Sequence, residues 1–358
     1  MTVLYTLIAS VLVFGAVIFL HELGHFVTAK LAGIQVNEFA LGMGPRLFSF
    51  VRGSTRYSLR LLPIGGFVAM EGEDGEEEGD EETLYPDIPE DAPRGISFQQ
   101  APIWRRMVVI AAGAAMNMIL GFAVLVALVS MQDSITSKTI SGFRGDEMSR
   151  QTGLQVGDTI LAINGRHCFV ANDVVYEAAR SEEAVADFTV LRDGQKVELR
   201  NVTFATALTG EQEGQYMIDF TVLPMEKTVP NVLAEAGNWT ISYARLIWRS
   251  LVDLVTGRVE VTQLSGPIGI VQAISQAVSI GLDSVLSIMA LITINLGIFN
   301  LLPLPALDGG KLVLLVVEKI RRRPLPTRYE SAINLAGFAL LMALMVFVAF
   351  NDVLRLVG

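Results

Sequence analysis

Four segments of the sequence are apolar over a length that can cross a bilayer. They run from about Leu4 to Val27, Met107 to Met131, Val285 to Leu302 and Ile333 to Phe350. The hydrocarbon core of a membrane is about 30 Å thick and a helical residue adds about 1.5 Å, so a spanning helix needs about 20 apolar residues. The pattern therefore predicts four transmembrane helices. A shorter apolar stretch, Leu312 to Val317, is expected to continue the third segment beyond a break.

The region after the first apolar segment has the period of strands. Val36 to Phe50 and Tyr57 to Val68 alternate apolar with polar or basic residues, and glycines and a proline punctuate them. This pattern predicts two or three short strands with tight turns. A sheet in or at the membrane and an ordinary cytoplasmic hairpin both fit. The run from Glu71 to Asp91 is rich in Glu, Asp, Gly and Pro, which indicates a solvated linker.

The middle of the chain is soluble in composition. Its Gly-Leu-x-x-Gly-Asp-x-Ile-x-x-Ile-Asn-Gly string, Gly153 to Gly165, resembles that of PDZ domains, which bind extended peptides by strand addition. A helix from Asn172 to Ala179, with Asn172 as N-cap, and a hairpin turning at Asp193-Gly194 complete the resemblance. A small β-rich spacer is the alternative.

An amphipathic segment follows, from Val232 to Val259. Apolar residues recur at helical spacing and charged residues occupy other faces. A helix against the membrane surface and a plain soluble helix both fit this pattern. Ser265 to Ile270 then breaks the chain before the third span.

Composition narrows the class. Hydrophobic residues make up 51% of the 358 residues, and the formal net charge is −10. This charge argues against nucleic acid as a partner, because proteins that bind nucleic acid neutralise its phosphates with an excess of Lys and Arg. The single cysteine, Cys168, excludes an intrachain disulfide and a cysteine zinc site. The N-terminal stretch lacks a basic region and a cleavage pattern, so we expect a retained helix rather than a signal peptide.

Basic residues predict the orientation, because Lys and Arg concentrate in cytoplasmic loops. Two loops carry them: the first has Arg46, Arg52, Arg56, Arg60, Arg94, Arg105 and Arg106, and the last has Lys319, Arg321, Arg322, Arg323 and Arg328. Both loops are therefore expected in the cytoplasm. Both termini and the region from Ser134 to Leu282 are expected outside.

The first apolar segment contains a His-Glu-x-x-His motif, formed by His21, Glu22 and His25. Two histidines four apart project from one helix face and can hold one zinc ion, with the glutamate as general base. Ionisable residues inside a membrane helix are costly, which makes a functional site the default hypothesis. The bland alternative is a chance match to a short pattern.

Asp308 is the expected third ligand. It follows Asn300-Leu301-Leu302-Pro303-Leu304-Pro305, where two prolines end the third helix. By helical rise, His21 lies about 25 Å from the start of its span, and Asp308 lies at most about 34 Å from the start of the third. If the two spans run from outside to inside, both residues fall near the inner leaflet. A catalytic zinc site typically has three protein ligands, which matches the count. The alternative is that Asp308 only caps a following helix.

The two motifs, on either side of a PDZ-like insert, resemble the site-2 protease family of intramembrane metalloproteases, and within it the bacterial regulator of sigma-E protease group. The resemblance covers nearly the whole chain. It implies a bacterial inner-membrane protein with a membrane-reentrant hairpin around Gly42 and Gly44 near the active site. Gly42, Gly44 and Asn300 are therefore expected to contact substrate. Gly113 to Asn117 matches a Gly-Pro-x-x-Asn motif of the family, so Asn117 joins the substrate-binding candidates. Ala114 replaces the proline of that motif, and one PDZ-like domain stands where enterobacterial relatives have two.

The predicted fold is thus a polytopic α-helical membrane protein with a cytoplasmic or reentrant β region and an inserted extracytoplasmic PDZ-like domain. In chain order, we expect the first span (1–33), the β region and acidic linker (34–106), the second span (107–131), the PDZ-like domain (134–226), an amphipathic membrane-associated region (230–282), the third span with the second motif (283–318), a basic cytoplasmic loop (319–330) and the fourth span (331–352).

The expected function is that of a zinc metalloendopeptidase that cuts transmembrane segments in regulated intramembrane proteolysis. The partners implied are single-pass membrane proteins, such as anti-sigma factors or signal-peptide remnants, with a peptide or ectodomain at the PDZ-like domain. Two other classes remain open: an inactive membrane scaffold and a metal transporter.

Overall fold

The computed structural model describes residues 2–73, 85–89, 92–145, 147–181, 184–207, 216–259, 264–323 and 326–357. Most of the predicted acidic linker lies outside these ranges. The helices are α1 (Thr2–Leu31), α2 (Ile103–Met131), α3 (Met148–Gln151), α4 (Ala171–Ala179), α5 (Val229–Val255), α6 (Pro267–Ile280), α7 (Leu282–Asn300), α8 (Asp308–Arg321) and α9 (Thr327–Val357). The strands are β1 (Val36–Arg52), β2 (Thr55–Met70), β3 (Ile135–Phe143), β4 (Thr159–Ile163), β5 (Arg166–His167), β6 (Val185–Arg192), β7 (Gln195–Thr203), β8 (Ala205–Ala207), β9 (Tyr216–Ile218) and β10 (Phe220–Met225).

The described residues form two compact units. Unit 1 comprises residues 1–124 and 247–358, and unit 2 comprises residues 125–246. Within the described chain, four helices are long and apolar enough to cross a membrane: Val3–Leu31, Ile103–Met131, Leu282–Asn300 and Arg328–Arg355. The prediction of a multi-pass membrane protein with an added β-rich region is confirmed. The second helix begins before the predicted Met107 because hydropathy marks only the apolar part, and misses the turn of Trp104, Arg105 and Arg106.

The helices of unit 1 meet where small residues allow it. A Cβ on Gly24 of α1 would lie 2.5 Å from the Ala112 carbonyl oxygen of α2, and a Cβ on Gly121 would lie 2.5 Å from Ile294 of α7. Lipid supplies no hydrophobic force between membrane helices, so they associate through close van der Waals packing. Small residues allow it because they let the two backbones approach. Glycine is therefore required at both crossings.

The β region of unit 1 is two long strands rather than two or three short ones. Residues 38–41 of β1 pair on one side with residues 66–69 and on the other with residues 56–59, while residues 48–52 pair with 55–59. Bulges and bends fold the two strands into a sheet of four segments, with residues 66–70 at one edge. This sheet packs on the C-terminal part of α1, the N-terminal part of α2, and α8. The shared core is formed by Ala29, Ile34, Val36, Phe39, Val68, Met70, Phe98, Ala101, Val109, Ile110 and Leu315.

One helix of unit 1 is missing from the sequence prediction. Residues 265–270 read as a break, but Pro267 is the first residue of α6. Proline favours the first turn of a helix, where its missing N–H has no intrahelical role. The α6 N-terminus is capped by Asp352 of α9, whose carboxylate accepts the backbone N–H groups of Gly266 (3.2 Å) and Gly269 (2.9 Å).

Unit 2 is built on an antiparallel sheet in the order β10-β3-β4-β6-β7, with β5 paired to β4. Its core includes Phe188, Phe204, Phe220 and the buried Cys168. Burial raises the pKa of this thiol to about 12, because the thiolate is poorly solvated there, so it stays neutral. The expected hairpin at Asp193-Gly194 joins β6 and β7.

The N-cap predicted at Asn172 is wrong. α4 begins at Ala171, and Val170 holds the N-cap position. The Asp173 carboxylate accepts the backbone N–H groups of Phe169 (2.7 Å) and Val170 (3.3 Å). Asp173 is the third residue of the helix, and its bond to the N-cap N–H is the half of a capping box that comes from inside the first turn.

We predict that Gly24→Ala destabilises the protein by about 1–3 kcal/mol, because the added methyl overpacks the contact with Ala112. Thermal unfolding of the purified protein in detergent measures the effect. Gly15→Ala is the matched control on the same helix, since a Cβ there meets no atom within 4 Å. Equal melting temperatures for the two variants would contradict the close α1–α2 approach.

Candidate active site

Helix α1 presents His21 and His25 on one face, one turn apart. Their Nε2 atoms are 3.2 Å from each other. Each also lies 3.4 Å from Oδ2 of Asp308 on α8. These three atoms form a nearly equilateral triangle. Among the described residues, His21, His25 and Asp308 are the group of three metal-binding side chains close enough to hold one ion.

The triangle has the dimensions of a tetrahedral metal site. A zinc ion with bonds of about 2.0–2.1 Å keeps its ligand atoms about 3.3–3.4 Å apart. Asp308 Oδ2 is buried and has no hydrogen-bond partner in the described part of the chain. A buried carboxylate oxygen without a donor is unfavourable unless a cation neutralises it. The residues therefore fit zinc.

A break between two helices positions Asp308. α7 ends at Asn300, and α8 begins at Asp308 itself, where the positive end of the helix dipole favours a carboxylate. Gly309 and Gly310 lie against the returning backbone: a Cβ on them would be 2.1 Å from the Leu302 carbonyl oxygen and 2.3 Å from that of Leu304. Both glycines are thus required for the first turn of α8 to fold back over the break.

Helix α2 forms the wall behind the two histidines. His25 Nδ1 lies 2.9 Å from the Val109 carbonyl oxygen, to which it can donate its N–H, which leaves Nε2 free as a ligand. A Cβ on Gly113 would lie 2.2 Å from His25 Nε2 and 2.7 Å from His21 Cε1. Asn117, one turn further along, lies 3.3 Å from His21 Nδ1 through its amide nitrogen. Positions 109, 113 and 117 form one stripe, because residues four apart share a helix face.

Glu22 lines a cavity of about 360 Å³ together with both histidines and Asp308. The same cavity is bordered by residues 67–70 of β2, so the edge of the four-segment sheet faces the site. Lys311, one turn after Asp308, also lines it and makes a 2.7 Å ion pair with Glu73. The cavity therefore has room for water beside Glu22.

The structure brings some of the residues predicted from the sequence together and leaves others apart. His21, Glu22, His25 and Asp308 share the cavity. Asn117 and Asn300 both lie against His21, with Asn300 Nδ2 at 3.4 Å from each ring nitrogen. Gly42 and Gly44 do not border the cavity described above; a Cβ on Gly42 would instead meet the Leu62 carbonyl oxygen at 2.5 Å.

Sequence reasoning missed the residue of the sheet that touches the catalytic candidate. A Cβ on Gly66 would lie 2.8 Å from Glu22 Cγ and 2.9 Å from the Ala40 carbonyl oxygen. The signal was present, because a glycine inside a strand often marks close approach of another group. The sequence pattern instead predicts a tight turn at Gly65 and Gly66.

The fold and the cavity together define a class: a multi-pass membrane protein whose helices collect the side chains of a metallopeptidase. The sequence pattern of peptidase family M50 matches residues 9–344. The chain therefore belongs to peptidase family M50, the site-2 proteases.

Its relatives are named as zinc metalloproteases. The chain is 33% identical to the regulator of sigma-W protease RasP of Bacillus subtilis, over 98% of this chain and 99% of that protein. It is 34% identical to the zinc metalloprotease RasP of Shouchella clausii, over 98% and 99%. It is 33% identical to a putative zinc metalloprotease of Clostridium perfringens, over 97% and 98%. The chain is thus a zinc metalloendopeptidase of the site-2 type, and the predictions of its family, its enzyme class and Zn²⁺ as cofactor are confirmed.

We predict that Gly113→Ala lowers proteolytic activity by about 10²-fold or more, because the added methyl displaces both imidazoles. Zinc content of the purified protein should fall as well. Gly121→Ala is the control on the same helix, since the nearest neighbours of its methyl belong to Ile294 and Ala290 of α7 and not to the histidines. That variant should lose stability but keep its zinc; a full zinc content in Gly113→Ala would contradict the prediction.

Proposed function

We propose that this protein is an intramembrane protease in which His21, His25 and Asp308 bind Zn²⁺ and Glu22 is the general base. The observation that carries the proposal is the 3.2–3.4 Å triangle of ligand atoms, in which two corners belong to a membrane-spanning helix. The bond that is cut lies within a transmembrane segment of another protein.

Each residue has a distinct task in peptide hydrolysis. When bound, zinc activates a water molecule and polarises the scissile carbonyl. Glu22 takes the proton from that water and later gives it to the leaving amine. His21 and His25 on α1 and Asp308 on α8 would hold the ion. The contacts with α2 fix the orientation of the two histidines. Asn300, beside His21, is available to the substrate backbone.

A transmembrane helix hides its carbonyl groups in internal hydrogen bonds, so the substrate must unwind before it is cut. Residues 66–70 of β2 are an edge segment among the described pairings, and residues 67–70 border the cavity. Unpaired N–H and C=O groups on such an edge can take up an extended strand. The unwound substrate therefore lies along β2, next to Glu22. Gly42 and Gly44 act by shaping the same sheet, which lies in or at the membrane.

The orientation predicted from Lys and Arg is retained in the proposal. The cavity opens toward the cytoplasmic side of the bacterial inner membrane, where Arg106 pairs with Glu318 at 2.9 Å near the end of α8. Both termini and unit 2 are extracytoplasmic. Water reaches the site from the nearby cytoplasm.

Unit 2 is proposed to be a PDZ-like domain that selects substrates by peptide or ectodomain. β10 ends the sheet, and a groove of about 400 Å³ runs between it and α4. The floor is apolar, with Ile218, Phe220, Val222 and Val174. Lys138 and Glu235 also border the groove; burial lowers the pKa of Lys138 and raises that of Glu235. An extended peptide that adds to β10 and fills this groove is the expected ligand.

The substrates are single-pass membrane proteins, with anti-sigma factors and signal-peptide remnants as the two classes to test. The name of the Bacillus subtilis relative, a regulator of sigma-W protease, supports the first class. An ectodomain filter in unit 2 would make this enzyme the second cut of a cascade, after another protease has shortened the substrate.

We predict that Glu22→Gln lowers cleavage of a model transmembrane substrate by about 10²–10⁴-fold, since the general base is lost. Bound zinc should remain near one ion per chain, whereas His21→Ala and Asp308→Ala should lose it. Glu198→Gln, an exposed change of the same chemistry in unit 2, is the control for activity. Cleavage that survives in Glu22→Gln would refute the mechanism, and a zinc-free, inactive wild type would favour the scaffold.

We predict that Val175→Glu weakens binding of a ten-residue peptide with an apolar, free C-terminus by about tenfold or more. The reason is that an unpaired polar group in an apolar site costs about 1–3 kcal/mol. Fluorescence anisotropy on the full-length protein measures the affinity, and the amidated peptide tests for carboxylate recognition. Leu191→Glu, on the part-exposed β6, is the control. Unchanged affinity in Val175→Glu would rule out this groove.

A further inference from the structure

Asn117 is a fully buried polar residue whose amide faces His21. Its exposed fraction is 0%, although it lies in a membrane-spanning helix. The amide nitrogen lies 3.3 Å from His21 Nδ1, while the amide oxygen has no hydrogen-bond partner in the described part of the chain. Burying an unpaired amide oxygen in an apolar environment costs free energy, so this arrangement needs an explanation.

The chemistry of His21 determines which atom must face its Nδ1. The Nε2 atom of His21 points to His25 Nε2 and Asp308 Oδ2, so it is the atom that would bind the metal. A neutral imidazole that ligates through Nε2 carries its proton on Nδ1, which is then a donor. The group opposite Nδ1 must therefore accept a hydrogen bond.

A half-turn of the Asn117 amide satisfies both groups at once. The oxygen and nitrogen of an amide exchange places in this rotation, which leaves the shape of the side chain unchanged. The oxygen then accepts the Nδ1–H of His21 and is no longer without a partner. His25 is already oriented by the Val109 carbonyl oxygen of the same helix, two turns earlier.

We infer that Asn117 is a positioning residue that holds His21 in the tautomer and orientation needed for metal binding, through a hydrogen bond from His21 Nδ1 to the Asn117 amide oxygen. This differs from the substrate contact expected from the sequence. It rests on the proposed function in one respect, namely that His21 is a zinc ligand. Helix α2 then orients both histidines, His25 by a backbone carbonyl and His21 by a side chain.

The test measures zinc affinity of the purified full-length protein by competition with a chelator of known affinity. Asn117→Leu, similar in size but without an acceptor, should lower the affinity by about 10–100-fold, the usual cost of losing a group that orients a metal ligand. Asn117→Asp retains an acceptor at the same place and should stay within a few-fold of wild type. Thr293→Val is the control, because Thr293 is equally buried in a spanning helix and its hydroxyl makes no hydrogen bond within the described residues.

Each outcome separates this inference from its rivals. If Asn117→Leu binds zinc like wild type but has a raised KM, Asn117 contacts substrate and the inference is overturned. Equal losses in Asn117→Leu and Asn117→Asp would show a role in packing alone, which also overturns it. The Gly113 carbonyl and the Asn300 amide are other polar groups near His21. If either suffices, Asn117→Leu leaves both affinity and KM unchanged, and the inference is overturned. Failure of the zinc site itself would show differently, as wild-type affinity that His21→Ala does not alter.

Discussion

Two imidazole rings and a carboxylate lie inside an apolar bundle, and their need for polar neighbours organises unit 1. Lipid cannot form hydrogen bonds with them, so most of their partners come from the chain. The Nε2 atoms of His21 and His25 and the Asp308 carboxylate face one another, and the outer nitrogens face α2. Gly113 of α2 is required for the same reason, because a methyl group there would fill the space that the two imidazole rings occupy.

The third member of the cluster depends on backbone that is irregular at membrane depth. Such backbone persists only where protein or a water-filled cavity surrounds it. The break between α7 and α8 is enclosed by its own neighbours: Gly309 and Gly310 fold back on it, and Gly337 of α9 lies against Pro305. The fourth spanning helix thus supports the loop that carries Asp308, although it contributes no side chain to the triangle.

Much of the candidate site could be predicted from the sequence, because its signals are local. The spacing of four residues puts His21 and His25 on one helix face, with Glu22 next to them. Pro303 and Pro305 predict the break before Asp308. The residues that were missed depend on long-range geometry. Gly66 reaches Glu22 only because bulges fold β1 and β2 into four segments, and the register that results cannot be read from alternation.

The same contrast explains the smaller errors. The sequence predicts Asn172 as the N-cap of α4 because asparagine favours that position. In the structure, the Asp173 carboxylate accepts the backbone N–H groups of Phe169 and Val170 from inside the first turn. Helix α6 is missing from the prediction because Ser265, Gly266 and Pro267 also favour turns, and the Asp352 carboxylate that caps the helix lies far along the chain. The role of Asn117 required the hydrogen-bond partners of His21, which no spacing rule supplies.

The order of the ligands along the chain has a consequence for biosynthesis. Two of the ligand candidates are made near residue 21, and the third only near residue 308. The proposed metal site is therefore incomplete until about six-sevenths of the 358-residue chain has been translated. On the proposed ligand set, a nascent chain therefore cannot cut other proteins that leave the same translocon, and a product truncated before Asp308 lacks a complete metal site.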